Sequence, residues 1–395
     1  ARRMSTGVAK IASDAVSDVE SATVDERRAA LLGSILGISF SICALTGLFS
    51  WGASTDQGWW PAGPTGLFRL TQGTHLISGV LAVPLLLAKL RAVAPKLVQR
   101  PFVASFAHLV ERISLLPLVG GSIFMLVSGV TNVAYWYPQE FYGIDIGYFF
   151  PAAHGKMAII VIGALIAHVF AKISTTRSVL KRAAVGREST ETSLDRRQFL
   201  GGVAVTTGLV GVSIAGATIY PLRGVSVLSA RHPNAGPQGF PVNRTAASIG
   251  VRSLAESPDY RLKVETADGT ELASFSLGDL QAMKQHEHEI PIACVEGWSA
   301  NESWRGVRMR DLLAAAGVDE PRVVDVVSLQ EESAPGRRYG TSTVSKDLSQ
   351  QDQTLLAMQV NGEPLHLDHG FPIRLMAPAR PGVNQTKWLA KVIVR

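Results

Sequence analysis

Ile292-Ala293-Cys294-Val295-Glu296-Gly297-Trp298-Ser299 decides how the C-terminal half is read. It reads as the end of an apolar strand running into a polar turn, with a cysteine at the junction. A lone cysteine is more often a small packing residue. As a thiolate it is a soft ligand suited to a transition metal. The chain has only two cysteines. Cys43 lies far upstream in an apolar run and reads as packing. The two do not read as a structural disulfide, and a zinc site of several cysteines is excluded. Around Cys294, alternating stretches predict strands at 260–265, 322–329, 355–360, 372–376 and 388–394, with a short helix over 310–317 ending in Gly317. Residues 241–395 therefore read as a strand-rich α+β domain behind a Pro/Gly-bearing linker, 221–240. His286 and His288 are read into a charged, solvated turn, and His232 and His366 carry no motif.

The N-terminal half differs in kind. Of the 395 residues 47% are hydrophobic, and the excess lies before residue 221. A bilayer-spanning helix needs roughly 20 mostly apolar residues, and five segments qualify: 31–50, 72–90, 108–134, 153–173 and 199–220. The net charge of +6 does not point to nucleic acid. Its basic residues concentrate in two short loops, one with Lys89, Arg91, Lys96 and Arg100, the other with Lys172, Arg177, Lys181, Arg182, Arg187, Arg196 and Arg197. The loops 51–71 and 135–152 carry Trp51, Trp59, Trp60, Tyr135, Trp136 and Tyr137 instead. Basic loops stay inside and aromatic rings favour the interface. The N-terminus is thus expected in the cytoplasm and everything after residue 220 outside, in the plasma membrane of a bacterium. The expected order is a cytoplasmic tail 1–30, a four-helix membrane domain 31–173, a basic loop 174–197 and a fifth helix 198–220. Asp195-Arg196-Arg197-Gln198-Phe199-Leu200 resembles a twin-arginine export signal, read here as an uncleaved anchor.

Histidine is costly in a membrane segment and marks function by default. His154 and His168 share one helix. Their spacing gives about 21 Å of axial separation with about 40° of drift, which suits two haems stacked on one face. The topology pairs His75 with His154 for an outer haem iron and His108 with His168 for an inner one. Neutral imidazoles on both faces give six-coordinate, electron-transferring haem b. One haem rather than two remains open, and His108 sits at the very start of its span. Gly73, Gly79, Gly155 and Gly163 would let a porphyrin approach, although glycine also serves helix packing. With these ligands the segment resembles di-haem membrane cytochromes b.

Two further stretches frame Cys294. Asn361-Gly362-Glu363-Pro364-Leu365 leads into Asp368-His369-Gly370-Phe371-Pro372-Ile373-Arg374, and Gln385-Thr386-Lys387-Trp388-Leu389 follows. In this order they resemble the molybdenum domain of the sulfite oxidase family, in particular bacterial methionine sulfoxide reductase catalytic subunits of that fold. The resemblance implies Cys294 as catalytic residue and molybdenum ligand. It implies that His369, Arg374, Gln385, Thr386 and Lys387 hold the molybdopterin and its phosphate. Asn243, Arg244 and Thr245 match a first cofactor-contacting segment, and Glu331 is a further candidate near the pterin. The turn after Cys294 departs from the basic Asn-Arg-Arg turn of animal and plant sulfite oxidases, which puts an anion-binding arginine cluster for sulfite in doubt.

Joined, the halves predict a multidomain membrane oxidoreductase: an all-α transmembrane bundle of five spans plus a sulfite oxidase-type molybdopterin domain. Oxygen-atom transfer occurs outside the cytoplasm, and electrons pass through membrane haems to or from quinone. The expected partners are the lipid bilayer, quinone or quinol, a small substrate such as methionine sulfoxide, and respiratory-chain proteins, with no nucleic acid. Oxidation of a small substrate such as sulfite into the quinone pool stays open, as does a cofactor-free docking module.

Overall fold

The computed structural model describes residues 2–54, 60–98, 106–134, 140–141, 144–185, 193–229, 234–330 and 340–395. Six helices come first: α1 Arg2–Ser54, α2 Leu67–Val98, α3 Phe106–Leu115, α4 Gly121–Ala134, α5 Ile146–Val185 and α6 Ser193–Ala215, with the short strands β1 Glu140–Phe141 and β2 Ile144–Asp145 before α5. Between α3 and α4 the chain widens into a π turn, Leu116–Gly120. Pro117 in that turn has no N–H to give and interrupts the α ladder. Among the described residues five stretches are long and apolar enough to cross a membrane: Glu26–Ser54, Leu67–Ala94, Leu116–Val133, Ala152–Lys181 and Arg197–Ala215. Each overlaps a span expected from sequence. The third begins eight residues after His108, and α6 ends at Ala215 rather than 220. Large apolar side chains face outward along them, Ile159 at 73% and Phe170 at 77% exposure, which is the reverse of a water-facing helix.

Contacts divide the chain into two units, residues 1–44, 77–132 and 137–212 in one, and residues 45–76, 133–136 and 213–395 in the other. In the first, Leu36, Ala82, Leu85 and Leu86 form a small apolar cluster. A Cβ at Gly79 would lie 3.4 Å from Cys43 Sγ, so both serve helix packing there.

The second unit holds the strands. After the one-turn helices α7 Ala246–Ile249 and α8 Arg252–Ala255 come β3 Arg261–Thr266, β4 Glu271–Ser276, α9 Leu277–Ala282, β5 His286–Ala293, β6 Ser299–Arg308, α10 Met309–Ala315, β7 Val324–Ser328, β8 Thr341–Val344, α11 Lys346–Gln350, β9 Leu355–Val360, β10 Glu363–Pro364, β11 Arg374–Met376 and β12 Leu389–Val394. They form two sheets. One runs β10-β9-β6-β5 with β11 also on β9, and the other runs β4-β3-β12-β7-β8. The final strand β12 pairs parallel to β3 and antiparallel to β7. The main core collects Leu262, Val264, Leu280, Leu312, Val324 and Val326 with Leu375 and Val392. The expected strands all appear, but the charged turn at 284–289 does not. His286 opens β5 and pairs with Gly306, and His288 pairs with Trp304. Alternate residues of this antiparallel strand point to opposite faces. His286 therefore turns inward, with its side chain 10% exposed and Nε2 3.2 Å from the Asp311 carboxylate.

Candidate active site

Cys294 is the first residue after β5. Its N–H donates to the Trp298 carbonyl at 2.9 Å, and its carbonyl accepts from Gly297 N–H at 3.0 Å, so the β5–β6 connection closes on the cysteine. Gly297 has φ +87, a left-handed conformation that favours glycine. A Cβ there would come within 3.2 Å of Leu76 and Val133. Trp298 Nε1 donates to the buried Glu296 carboxylate at 3.0 Å, which fixes the turn's far side. The thiol is buried, yet it borders a cleft of about 340 Å³ (open mouth included) shared with Asn243, His369, Arg374 and Lys387.

Basic groups line the cleft. Arg374 begins β11 fully enclosed. Nη1 donates to the His369 carbonyl at 2.9 Å and Nη2 to the Gln385 carbonyl at 3.2 Å, while its carbon lies 5.0 Å over the Trp304 ring. Nε is buried with no hydrogen-bond partner among the described residues. Lys387 Nζ donates to Arg244 O at 2.6 Å, Asp368 O at 3.0 Å and Asn243 Oδ1 at 3.0 Å. The His369 ring stacks on Phe240 with centroids 3.7 Å apart, and its Nε2 donates to Pro237 O at 2.8 Å. Burial disfavours charge on all three. It pushes His369 down to about 3 and Arg374 down to about 9. Burial and then the neighbouring Arg374 hold Lys387 well below its ordinary value, against the opposing pull of Asp368, Cys294 and Glu296. With Arg374 Nε and Gln385 Oε1 both buried and unpartnered, this is a cleft electrostatically suited to an anionic, hydrogen-bonding group beside a thiol.

The floor comes from an unexpected quarter. The loop 379–385 runs so close to the cysteine that a Cβ on Gly382 would lie 3.2 Å from Ala293 O. Ala379, at φ +58, gives its N–H to Thr65 O at 3.0 Å and takes the Trp60 indole N–H at 2.7 Å. Buried Asn384 donates to Ala53 O at 3.0 Å. Ala53 at the end of α1, with Trp60 and Thr65 from the connection to α2, therefore braces the loop under Cys294, within one unit.

Residues 249–395 match the family model of the oxidoreductase molybdopterin-binding domain. This part of the chain is similar to sulfite oxidases and nitrate reductases. It is 32% identical over 177 residues to the mitochondrial sulfite oxidase of Rattus norvegicus, covering 39% of this chain and 32% of that protein. It is 40% identical over 160 residues to a nitrate reductase [NAD(P)H] of Hordeum vulgare, covering 37% of this chain and 18% of that one. The chain thus spans about a third or less of the length of these relatives. Among solved structures, the sulfane dehydrogenase SoxCD from Paracoccus pantotrophus is similar at 23% identity with a TM-score of 0.30, over 35% of this chain and 38% of that one. That likeness is too slight to extend the assignment.

The structure brings Cys294, His369, Arg374 and Lys387 to one cleft, which Asn243 also lines. Gln385 and Thr386 lie just behind. Gln385 Nε2 donates to Ala377 O at 3.1 Å, and Thr386 Oγ1 shares a hydrogen with Ser342 Oγ at 2.6 Å. Thr245 is exposed and caps α7, accepting from Ser248 N–H at 3.1 Å. The Arg244 carbonyl, not its guanidinium, faces Lys387. Glu331 lies outside the described residues, as does the side chain of His108. Sequence reading missed Trp60, Ala53 and Gly382. The Pro381-Gly382 pair was the one local signal, a turn dipeptide just before the cofactor segment.

His232 also lies outside the described residues, whereas His75, His154 and His168 can be placed. His75 packs on Gly47, where a Cβ would meet its Cε1 at 2.9 Å. On α5, His154 and His168 are half-buried while Ile159, Ile160, Ile166 and Phe170 are exposed, so both belong to the less exposed side. His154 Nδ1 lies 2.9 Å from Ser128 Oγ, and that hydroxyl already donates to Phe124 O at 2.7 Å. Ser128 therefore accepts from Nδ1–H, which places the basic lone pair at Nε2. Gly73 is filled closely by Thr218 Oγ1 at 3.0 Å, which makes it a packing glycine. Gly155 and Gly163 meet nothing within 4 Å among the described residues.

Proposed function

We propose that the protein is a bacterial plasma-membrane oxidoreductase whose molybdopterin domain works outside the cytoplasm and exchanges electrons with quinone through b-type haems. The carrying observation is the convergence of the Cys294 thiol with buried Arg374, Lys387 and His369 in one cleft. In this reading the Cys294 thiolate ligates molybdenum, and Arg374 and Lys387 meet the phosphate of the pterin with charge-assisted hydrogen bonds. Neutral His369 and Asn243 hold its polar edge. The bound group supplies oxygen-atom transfer coupled to a two-electron change. The outward-facing apolar helices support the membrane location. The Ser128-oriented tautomer of His154 is the arrangement a metal-ligating imidazole uses. His75 with His154, and His108 with His168, are the proposed axial pairs.

The favoured reaction is reduction of an oxidised sulfur or nitrogen substrate such as methionine sulfoxide. A second reading, oxidation of sulfite into the quinone pool, is supported by the similarity to sulfite oxidases. The test is optical. Detergent-solubilised protein is reduced with a quinol analogue and the b-haem band is followed. Reoxidation by methionine sulfoxide supports the reductase. Haem reduction by added sulfite supports the reverse direction. A protein without a b-haem band removes the haem and quinone parts of the proposal and leaves the molybdopterin domain.

A further inference from the structure

Immediately after α6 the chain doubles back. A Cβ at Gly216 would overlap the Leu222 carbonyl and come within 2.7 Å of the Ser226 Cβ, so only glycine permits the fold-back. The chain then forms a 3-10 turn, Tyr220–Val225, and Leu228 N–H donates to Ser213 O at 3.0 Å. Ser213 lies within the last turn of an apolar stretch, Arg197–Ala215. The returning segment is therefore pinned level with the end of that stretch.

Its side chains are arranged inside out. Ser226 and Ser229 are buried, while Val227 is 74% and Leu228 53% exposed, with Val225 and Ile219 also outward. In water this pattern is unfavourable. Exposed aliphatic side chains forgo the transfer free energy that burial would supply. At the end of a bilayer span the same pattern is favourable on the aliphatic side, because acyl chains cover it. Arg223 ties the other side of the loop to the catalytic unit, with Nη1 on Asn234 Oδ1 at 2.8 Å and Nη2 on Ser299 O at 3.4 Å. Ser299 N–H in turn donates to Ala217 O at 2.9 Å. Ser299 opens the strand that follows the Cys294 turn.

We infer that residues 219–228 form a lipid-facing staple, seated in the outer leaflet through Ile219, Val225, Val227 and Leu228, that fixes the Cys294 hairpin at the membrane surface. The inference rests on the membrane reading above and adds its point of contact and its partner, phospholipid acyl chains. It needs no second polypeptide.

The test is photocrosslinking of the full chain in its own membrane. p-Benzoylphenylalanine is introduced singly at Val227, at Leu209 on the outward side of α6, and at exposed Leu254 on α8. Mass spectrometry then reads the adducts after irradiation. The expected result is a mass shift of one phospholipid at 227 and 209 and its loss at 254. Lipid at 209 with none at 227, or a polypeptide adduct at 227, overturns the staple and leaves the membrane reading intact. No lipid at 209 overturns the membrane reading and the staple together. The same probe at Val225 repeats the measurement should the Val227 variant fail to accumulate.

Discussion

Trp60 Nε1 donates to the Ala379 carbonyl at 2.7 Å across 319 positions of sequence. The bond is buried, and it holds the loop whose Gly382 backbone lies against Cys294. Trp60→Phe keeps most of the ring but leaves that carbonyl unsatisfied, at a cost of about 1–3 kcal/mol. The expected outcome is a lower thermal midpoint and lower turnover, with the substrate KM less affected than kcat. Unchanged turnover with a lowered midpoint would make the contact purely structural.

Arg374 offers a planar fork in which two nitrogens are already committed to carbonyls and Nε is not. Lysine cannot reproduce that geometry. Arg374→Lys should therefore lower molybdenum content, and Arg374→Met or Lys387→Met should lower it further. A charge-assisted bond of about 1.5–3 kcal/mol corresponds to about tenfold or more in affinity. Metal analysis of the purified variants reads the outcome, and full molybdenum occupancy in Arg374→Met would remove the guanidinium from the cofactor site.

Much of this was legible before any fold was known, because the signals are local. Five apolar runs of sufficient length mark the helices, period-two alternation marks β3, β7 and β12, and Cys294 stands where an apolar strand meets a polar turn. The bracing of the cleft was illegible for the opposite reason. Trp60 carries the same aromatic signature as a residue at a membrane–water boundary. Nothing near it in sequence announces a carbonyl at Ala379. His286 and His288 were misplaced because their glutamate neighbours suggest a solvated turn, whereas pairing with β6 turns the imidazole of His286 inward and leaves Glu287 and Glu289 exposed.

Burial holds the folded-state value of His369 at about 3, below the ordinary 6.5. Between those values the unfolded chain binds a proton that the folded chain does not. The stability tied to neutral His369 is thus complete above about 6.5 and is lost progressively as the pH falls toward 3. His369→Asn has no such titration. The stability gap between wild type and His369→Asn should narrow on acidification through this window in cofactor-free protein. A gap that stays constant from neutral to acid pH would mean that the imidazole is not held neutral.

His154 provides the sharpest check on the membrane half, because its orientation depends on one hydroxyl. Ser128 is buried and its hydrogen is committed to Phe124 O, so it accepts from His154 Nδ1–H and orients the ring. His154→Ala removes a proposed haem ligand and should diminish the b-haem band. Ser128→Ala leaves the imidazole in place but removes the partner that fixes its tautomer. The band should then persist, with an altered reduction potential in a redox titration. A normal spectrum and potential in both variants would move the haem elsewhere or remove it. A lost band in His154→Ala with an unchanged potential in Ser128→Ala would keep the ligand and reject the serine's influence. The two variants together separate ligation from orientation, which a single substitution at His154 does not.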